Sequence, residues 1–484
     1  MTPTTRLRKT TAVLLAGRLV SAVSTLVLLA VFSRHGGLRE LGIGSLGVVI
    51  GSSLASLAEA GTNSLLTREV SRSRQAAATY LTTVLTLRMV LVPTCLLLSW
   101  PVCELAFGAD GSLILLFGAG FVIQQFGELV RSLFLALGHP EITAGHMIVE
   151  NVAWAGSMVV VLALGGDLYA ASWAGIVVLV ASAIAGGLLA VVFGVRLTRI
   201  SRGDLTRVTR LSLPFAAYSL VAVAAFRMDT VLVSLLVPSG IAAAGAYFSA
   251  SRLISSAEYL PDALSRAALP DLSRHAVAAR DQAHKLLRLA SEDLLNLSVP
   301  IPFALVTVGW GLLPLFFGSD LAPYSWILIA LGIGLPARFL VLLYGMSLTS
   351  ADAQGRRVAV TLVAVVAGQS INVLLLPVIG VPAAVVASLT TTALLLTQYL
   401  RFIGKSFGTP LVAASILRPV VRSIIPAVPA LVCAALLPGK SSWQCVVGLS
   451  VYGSVYLTLL LGPSAIQRLF SPARAQAGSN TSRP

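Results

Sequence analysis

Charge is scarce in this chain. Asp, Glu, Lys and Arg make up 11% of its 484 residues, against about 25% in soluble domains, which excludes an ordinary soluble fold. Acid is scarcer than base: 19 acidic residues face 34 basic ones, a net charge of +15. In a soluble protein such an excess points to nucleic acid. Here the bases sit in short loops between apolar runs, so a membrane replaces nucleic acid as the partner. Cysteine is rare too. Cys95, Cys103, Cys433 and Cys445 stand apart in apolar sequence without a C-x-x-C, so they read as small buried hydrophobes rather than disulfides or metal ligands. Enzyme motifs are missing. Gly42-Ile-Gly44-Ser-Leu-Gly47 fits G-x-G-x-x-G but follows no strand, and it reads as close helix packing. Gly404-Lys405-Ser406 and Gly439-Lys440-Ser441 end like a phosphate-binding loop, yet Tyr399 and Ala434 stand where its first glycine belongs. No ATPase, cofactor site or His/Cys/Glu zinc cluster is expected, and no cleavable signal: Arg18 interrupts the first apolar run, which continues to Phe32.

What is present is hydrophobic sequence, 56% of the chain. It comes in continuous runs of about 20 residues, the length a helix needs to cross a bilayer. The expectation is an all-α polytopic membrane protein of about fourteen spans, near 11–33, 41–66, 79–100, 111–137, 141–164, 170–195, 212–236, 241–268, 289–317, 322–349, 358–377, 380–400, 411–437 and 442–462. Glycine and proline mark the joints, as at Gly36-Gly37, Gly138-His139-Pro140, Pro238-Ser239-Gly240 and Gly380-Val381-Pro382. The loops alternate in charge. Nearly all loop arginines and lysines fall on one side, leaving Arg34, Arg39 and Lys440 on the other. By the positive-inside rule both termini are cytoplasmic. The basic stretch Asp271 to Arg288 could lie as an amphipathic helix on the membrane surface.

The second and eighth spans match at an offset of 203: Gly42 falls on Gly245, Ser52 on Ser255, Glu59 on Asp262 and Asn63 on Arg266. The repeat predicts two six-helix lobes, 1–204 and 205–405, related by a pseudo-two-fold axis along the membrane normal. An additional helix pair at 406–465 and a disordered cytoplasmic tail at 466–484 follow. Transporters commonly place their substrate site between such repeats.

Seven arginines fall inside predicted spans: Arg18, Arg88, Arg131, Arg227, Arg252, Arg266 and Arg338. Each costs about 2.5–3.5 kcal/mol near a bilayer centre even on the lenient scale, so each must face water, a counter-charge or a substrate. Glu128 and Arg131 are i, i+3 and Asp262 and Arg266 are i, i+4, spacings that favour local pairs. Arg338 follows Pro336, and a hinge, a pair or a substrate contact fits equally. Arg18, Arg88, Arg252 and Arg227 remain for an anion, with snorkelling or ion pairing as the other reading of each. Glu59, Glu150 and Glu258 are spare carboxylates able to carry a coupling proton. Asp229 serves either a salt bridge or ion coupling.

Asn372-Val-Leu-Leu-Leu-Pro377-Val-Ile-Gly380-Val-Pro-Ala383-Ala384-Val-Val-Ala387 resembles a motif of Wzx-type polysaccharide flippases, members of the MOP superfamily that also holds lipid II flippases and MATE exporters. Phe226-Arg-Met-Asp229, Gly245-Ala-Tyr247 and Leu260-Pro-Asp-Ala-Leu264 resemble the family's seventh and eighth spans. Pro382 departs from the pattern, near a usual glycine, and would stiffen the turn. The resemblance implies a protein of the bacterial inner membrane that moves an undecaprenyl-diphosphate-linked glycan between leaflets. It also implies arginines gripping the diphosphate, with Arg18 and Arg252 the nearest matches by span. The partners implied are membrane lipids, a coupling ion (H+ or Na+) and polysaccharide polymerase or export machinery. The competing readings are a lipid II flippase, a MATE-like cation or drug antiporter, and a membrane enzyme. The last is disfavoured by outward loops of about ten residues or fewer.

Overall fold

The computed structural model describes residues 3–259, 261, 280–350, 354–407, 413–436 and 442–469. Among them the regular structure is helical throughout. The helices are α1 (Pro3–Glu59), α2 (Thr62–Arg72), α3 (Ala77–Phe107), α4 (Gly111–Leu137), α5 (Pro140–Ala163), α6 (Leu168–Val192), α7 (Arg202–Leu236) and α8 (Gly240–Ala257). They continue as α9 (Arg280–Ser298), α10 (Pro300–Val308), α11 (Leu312–Phe317), α12 (Ser325–Ile333), α13 (Leu335–Ser350), α14 (Gln354–Ile379), α15 (Val381–Phe407), α16 (Ala413–Leu436) and α17 (Ser442–Leu469).

The predicted spans map onto these helices, the eighth as far as Ala257 with its remainder largely outside the described residues, and the joints follow local chemistry. α1 holds the first two spans and breaks at Gly36 and Gly37, the latter with φ 69°, a value open to glycine at no steric cost. Gly138 ends α4 in the left-handed region. Pro140 then opens α5 where its missing N–H is no loss, with Glu141 in the first turn favouring the helix dipole. Asp167 caps α6 through a 2.8 Å bond from the Ala170 amide. α7 begins ten residues ahead of its predicted span because Ser201 and Asp204 close a capping box. The single residue Gly380, at φ 67°, joins α14 to α15, and Pro382 sits in the first turn of α15, where proline is tolerated. The tenth span is a broken one: its two parts, α12 and α13, bend by 42° at Gly334. The second span departs from expectation, since it stops at Ala60 (φ 48°) and Gly61 (φ 72°) and restarts as α2. The surface-helix expectation for Asp271 to Arg288 lies largely outside the described residues.

The chain divides into two compact units, Met1–Ser249 with Val365–Ala387, and Ala250–Ala364 with Ser388–Pro484. The first unit holds α1 to α7 and the start of α8. Apolar side chains of α2, α3 and α4, among them Leu65, Leu66, Val84, Leu133 and Phe134, bury one another near one end of the helices. Farther along, Phe117 stacks on Trp154 at 6.0 Å and takes the edge of Phe32 at 5.4 Å. Joints expected on one side of the membrane meet: Arg39 pairs with Asp110 at 2.6 Å. So do joints expected on the other side, where Arg74 donates to the Leu137 carbonyl at 3.1 Å. Gly42 and Gly47, in the glycine-rich motif of α1, lie against Ile241 of α8 and Phe117 of α4, the close packing that the motif predicts.

In the second unit the C-terminal pair α16 and α17 pack together and against α10, around Ala304, Ala430, Tyr452 and Tyr456. The tyrosine hydroxyls donate to the carbonyls of Ser423 (2.9 Å) and Asn296 (2.5 Å). Such polar contacts stabilise helix association where lipid leaves little hydrophobic driving force. Large apolar side chains such as Leu97, Leu105, Val177, Leu374 and Val432 stay exposed, as a lipid-facing surface requires.

Candidate functional site

The first unit carries a charged network on α1 to α6. At its centre Arg88 of α3 has no solvent exposure. Its guanidinium donates to the Gln125 carbonyl of α4, to Thr62 Oγ1 at 3.2 Å and to Asn63 Oδ1 at 2.5 Å. The break at Ala60-Gly61 turns Thr62 and Asn63 toward it. Glu59 and Glu128 stand close enough for their charges to act on it. Arg88, read from sequence as a diphosphate candidate or an ion-pairing group, spends both terminal guanidinium nitrogens on the protein in this structure and ties the α1–α2 break to α4, while its Nε is buried without a partner.

Arg131 of α4 forms the second node. It pairs with Glu128 at 3.1 Å, as the i, i+3 spacing predicts, and also with Glu150 of α5 at 2.5 Å. The second partner corrects the sequence reading of Glu150 as a spare carboxylate. Glu150 further accepts from Gln124 at 3.1 Å and from the Ser182 hydroxyl of α6 at 2.9 Å. Its carboxylate is buried, so these bonds offset a desolvation that would otherwise be prohibitive. Gly127 leaves the space: a Cβ there would overlap Glu150 Oε2. His146 completes the node, its Nδ1 3.3 Å from Arg131 and its Nε2 3.2 Å from the Ser182 carbonyl. Nothing in the sequence reading singled out His146, although its i, i+4 spacing to Glu150 was a signal.

Arg18 differs from both. It is exposed on α1, one turn before Ser21, whose hydroxyl donates to Asn151 at 2.9 Å. Its charge acts on Glu128, yet among the described residues it makes no hydrogen bond or ion pair.

Asp229 of α7 accepts from the Tyr247 hydroxyl of α8 at 2.6 Å. Arg227 lies on α7, but its side chain is outside the described residues, as are Asp262 and Arg266. In the second unit, Arg338 pairs with Glu258 at 3.0 Å and donates to Ser388 at 2.7 Å. Pairing is thus its observed role, and Glu258 is not spare. Arg252 of α8 makes no ion pair among the described residues, and its Nε is buried without a partner. Among the described residues no three His, Cys, Asp or Glu side chains gather as a metal site would require.

Searching the solved structures finds similar folds. A lipid II flippase, MurJ, in an inward closed conformation matches with TM-score 0.71 at 15% identity, over 94% of this chain and 99% of that one. The MATE multidrug transporter DinF-BH, in complex with R6G, matches with TM-score 0.61 at 16% identity, over 85% and 97%. A MOP superfamily transporter from Pyrococcus furiosus matches with TM-score 0.55 at 15% identity, over 82% and 95%. This chain shares the fold of these three structures. Among curated proteins none matches. A family profile described as polysaccharide biosynthesis protein matches residues 7–275. With more than half its length matched, the chain belongs to the polysaccharide biosynthesis protein family.

Proposed function

We propose that the protein translocates an undecaprenyl-diphosphate-linked oligosaccharide across the bacterial inner membrane by alternating access, with both termini cytoplasmic and two six-helix lobes at 1–204 and 205–405. The family and the fold both support translocation. The observation that carries the choice of an anionic cargo is which charges are left unpaired. Glu128 and Glu150 are tied to Arg131, and Glu258 to Arg338. Arg18 and Arg252, one in each unit, have no ion pair among the described residues. Both carry a guanidinium, which binds phosphate oxygens in bidentate fashion.

Deletion of the gene should abolish surface polysaccharide, and the wild-type gene should restore it. Arg18→Ala and Arg252→Ala are expected to insert normally in the membrane but to lose at least tenfold of that restoration. Arg→Lys at either site keeps charge but loses bidentate geometry, and is expected to restore export only in part. Normal polysaccharide in both alanine variants would overturn the site. Loss of drug efflux on deletion, with polysaccharide intact, would decide for a cation antiporter.

A further inference from the structure

His146 stands at the junction of two features that translocation as such does not require. It touches the Arg131–Glu150 pair, and it lines a crevice of ≈ 590 Å³ between α5 and α6. The crevice walls are apolar, Ile142, Val149, Val178 and Leu189 among them, and His146, Glu150 and Ser182 are polar residues of the lining. His146 is six residues from the start of α5, about 9 Å along the axis. That depth, in a helix of 24 residues, places it near the edge of the hydrocarbon layer, where water and protons arrive.

The geometry fixes its resting tautomer. Arg131 can only donate, so Nδ1, 3.3 Å from Nη1, is the acceptor and carries no proton. Nε2 faces the Ser182 carbonyl at 3.2 Å and is the donor. Gly186 of α6 makes room for the ring, since a Cβ there would sit 2.9 Å from Nε2. Arg131 on α4 touches the ring and holds Glu150 of the ring's own helix and Glu128 of α4, and Arg18 on α1 and Arg88 on α3 act on Glu128 in turn. α6 adds no charge here.

We propose that His146 is a proton-binding site whose occupancy frees Arg131 for an anionic ligand. A proton taken from water forms an Nδ1–H bond, and the Arg131 N–H···Nδ1 hydrogen bond is lost because imidazolium and guanidinium repel. Glu150, one turn along the same helix face, becomes the partner of the imidazolium. Arg131 keeps Glu128 alone. Before protonation Arg18, Arg88 and Arg131 balance Glu59, Glu128 and Glu150; afterwards the network holds one positive charge in excess. Proton and anion then each strengthen the binding of the other, since coupling between sites is reciprocal. The inference rests on the anionic cargo proposed above.

The test uses the full chain in nanodiscs with farnesyl diphosphate as probe, its affinity measured from pH 8 to pH 5.5. Acid lowers the charge of the diphosphate itself, whose last proton binds near pH 6, and this alone weakens binding. Wild-type protein is expected to bind the probe about 5-fold or more tightly at pH 5.5 than at pH 8. His146→Gln, which keeps a hydrogen-bonding side chain of similar size, is expected to match wild type at pH 8 and to weaken on acidification. His146→Asn and thermal melting of both variants separate loss of the proton site from misfolding. Equal pH profiles in wild type and a folded variant would overturn the proton site and leave the anionic cargo standing. Failure of wild type to bind the diphosphate at any pH would overturn the cargo, and the proton site with it.

Discussion

Gly245 of α8 rests on the backbone of Gly42 in α1, so closely that a Cβ on Gly245 would stand 2.7 Å from the Gly42 amide nitrogen and 2.8 Å from its Cα. These are the two glycines that the 203-residue repeat equates. Backbone cannot yield as a flexible side chain does, so Gly245→Ala must part the two helices. Overpacking of this kind costs about 1–3 kcal/mol. Thermal unfolding in detergent is expected to show Gly245→Ala clearly destabilised. Gly187→Ala, with open space around it, should melt as wild type does. Equal melting of both variants would show that the helices part without cost.

Arg88 and Arg18 lie in one network yet predict opposite outcomes. Removing the Arg88 guanidinium strands the Thr62 and Asn63 side-chain oxygens, the Gln125 carbonyl and the nearby charges of Glu59 and Glu128. Breaking a buried charged arrangement by removing one partner costs about 3–5 kcal/mol. Arg88→Lys should recover little, because one ammonium cannot reach acceptors spread over α2 and α4. Arg18→Ala removes no hydrogen bond among the described residues and should leave the melting temperature within about 1 °C, a surface-type effect. Melting curves of the three variants, set beside their export activity, separate folding from binding. A stable Arg88→Ala protein would contradict the role given to this side chain.

These contrasts show what the sequence made legible. Helix breaks at Gly37, Gly138, Gly240 and Gly380 are visible as glycine or proline at the edges of apolar runs, because each needs a positive φ. The break at Ala60-Gly61 is not, since one of its two left-handed residues is alanine, which seldom adopts such a φ. The Glu128–Arg131 pair follows from helical spacing. The Arg131–Glu150 pair does not, because it joins two helices whose mutual rotation comes from packing at residues such as Gly127. Intramembrane charge thus announced itself in the sequence, while the division between paired and unpaired charge needed the fold.

Asp204 makes the entry to α7 pH-dependent. Its carboxylate accepts from the Ser201 amide at 2.9 Å and from the Ser201 hydroxyl at 2.8 Å. These bonds, with Arg207 nearby, hold its carboxyl below the usual range. A carboxyl lowered by folding adds stability above its unfolded value, near 3.9, and loses that contribution as pH falls through the folded value. Hydrogen exchange of the 201–206 segment is expected to be faster in Asp204→Asn than in wild type at pH 7. At pH 2 the two should exchange alike. A difference that persists unchanged in acid would place the capping effect elsewhere.

Arg338 stands four residues past Gly334, where α12 and α13 meet at 42°, and its amide still bonds the Gly334 carbonyl at 3.0 Å. That bond closes the first turn of α13 just past the bend, and the Arg338 side chain adds contacts that bear on the direction of α13. It does so twice, on Glu258 and on Ser388 of α15. The Arg338 and Glu258 side chains are 20% and 28% exposed, so water screens the pair in part, and a coupling of about 0.5–3 kcal/mol is expected between residues in such contact. In a double-mutant cycle, Arg338→Ala and Glu258→Ala should each destabilise. The double variant should lose less than the sum, because each single change strands the other charge. Ser388→Ala, which removes only a neutral acceptor, should cost less than Glu258→Ala. Strict additivity of Arg338→Ala and Glu258→Ala would mean that the bend holds its direction through apolar packing alone.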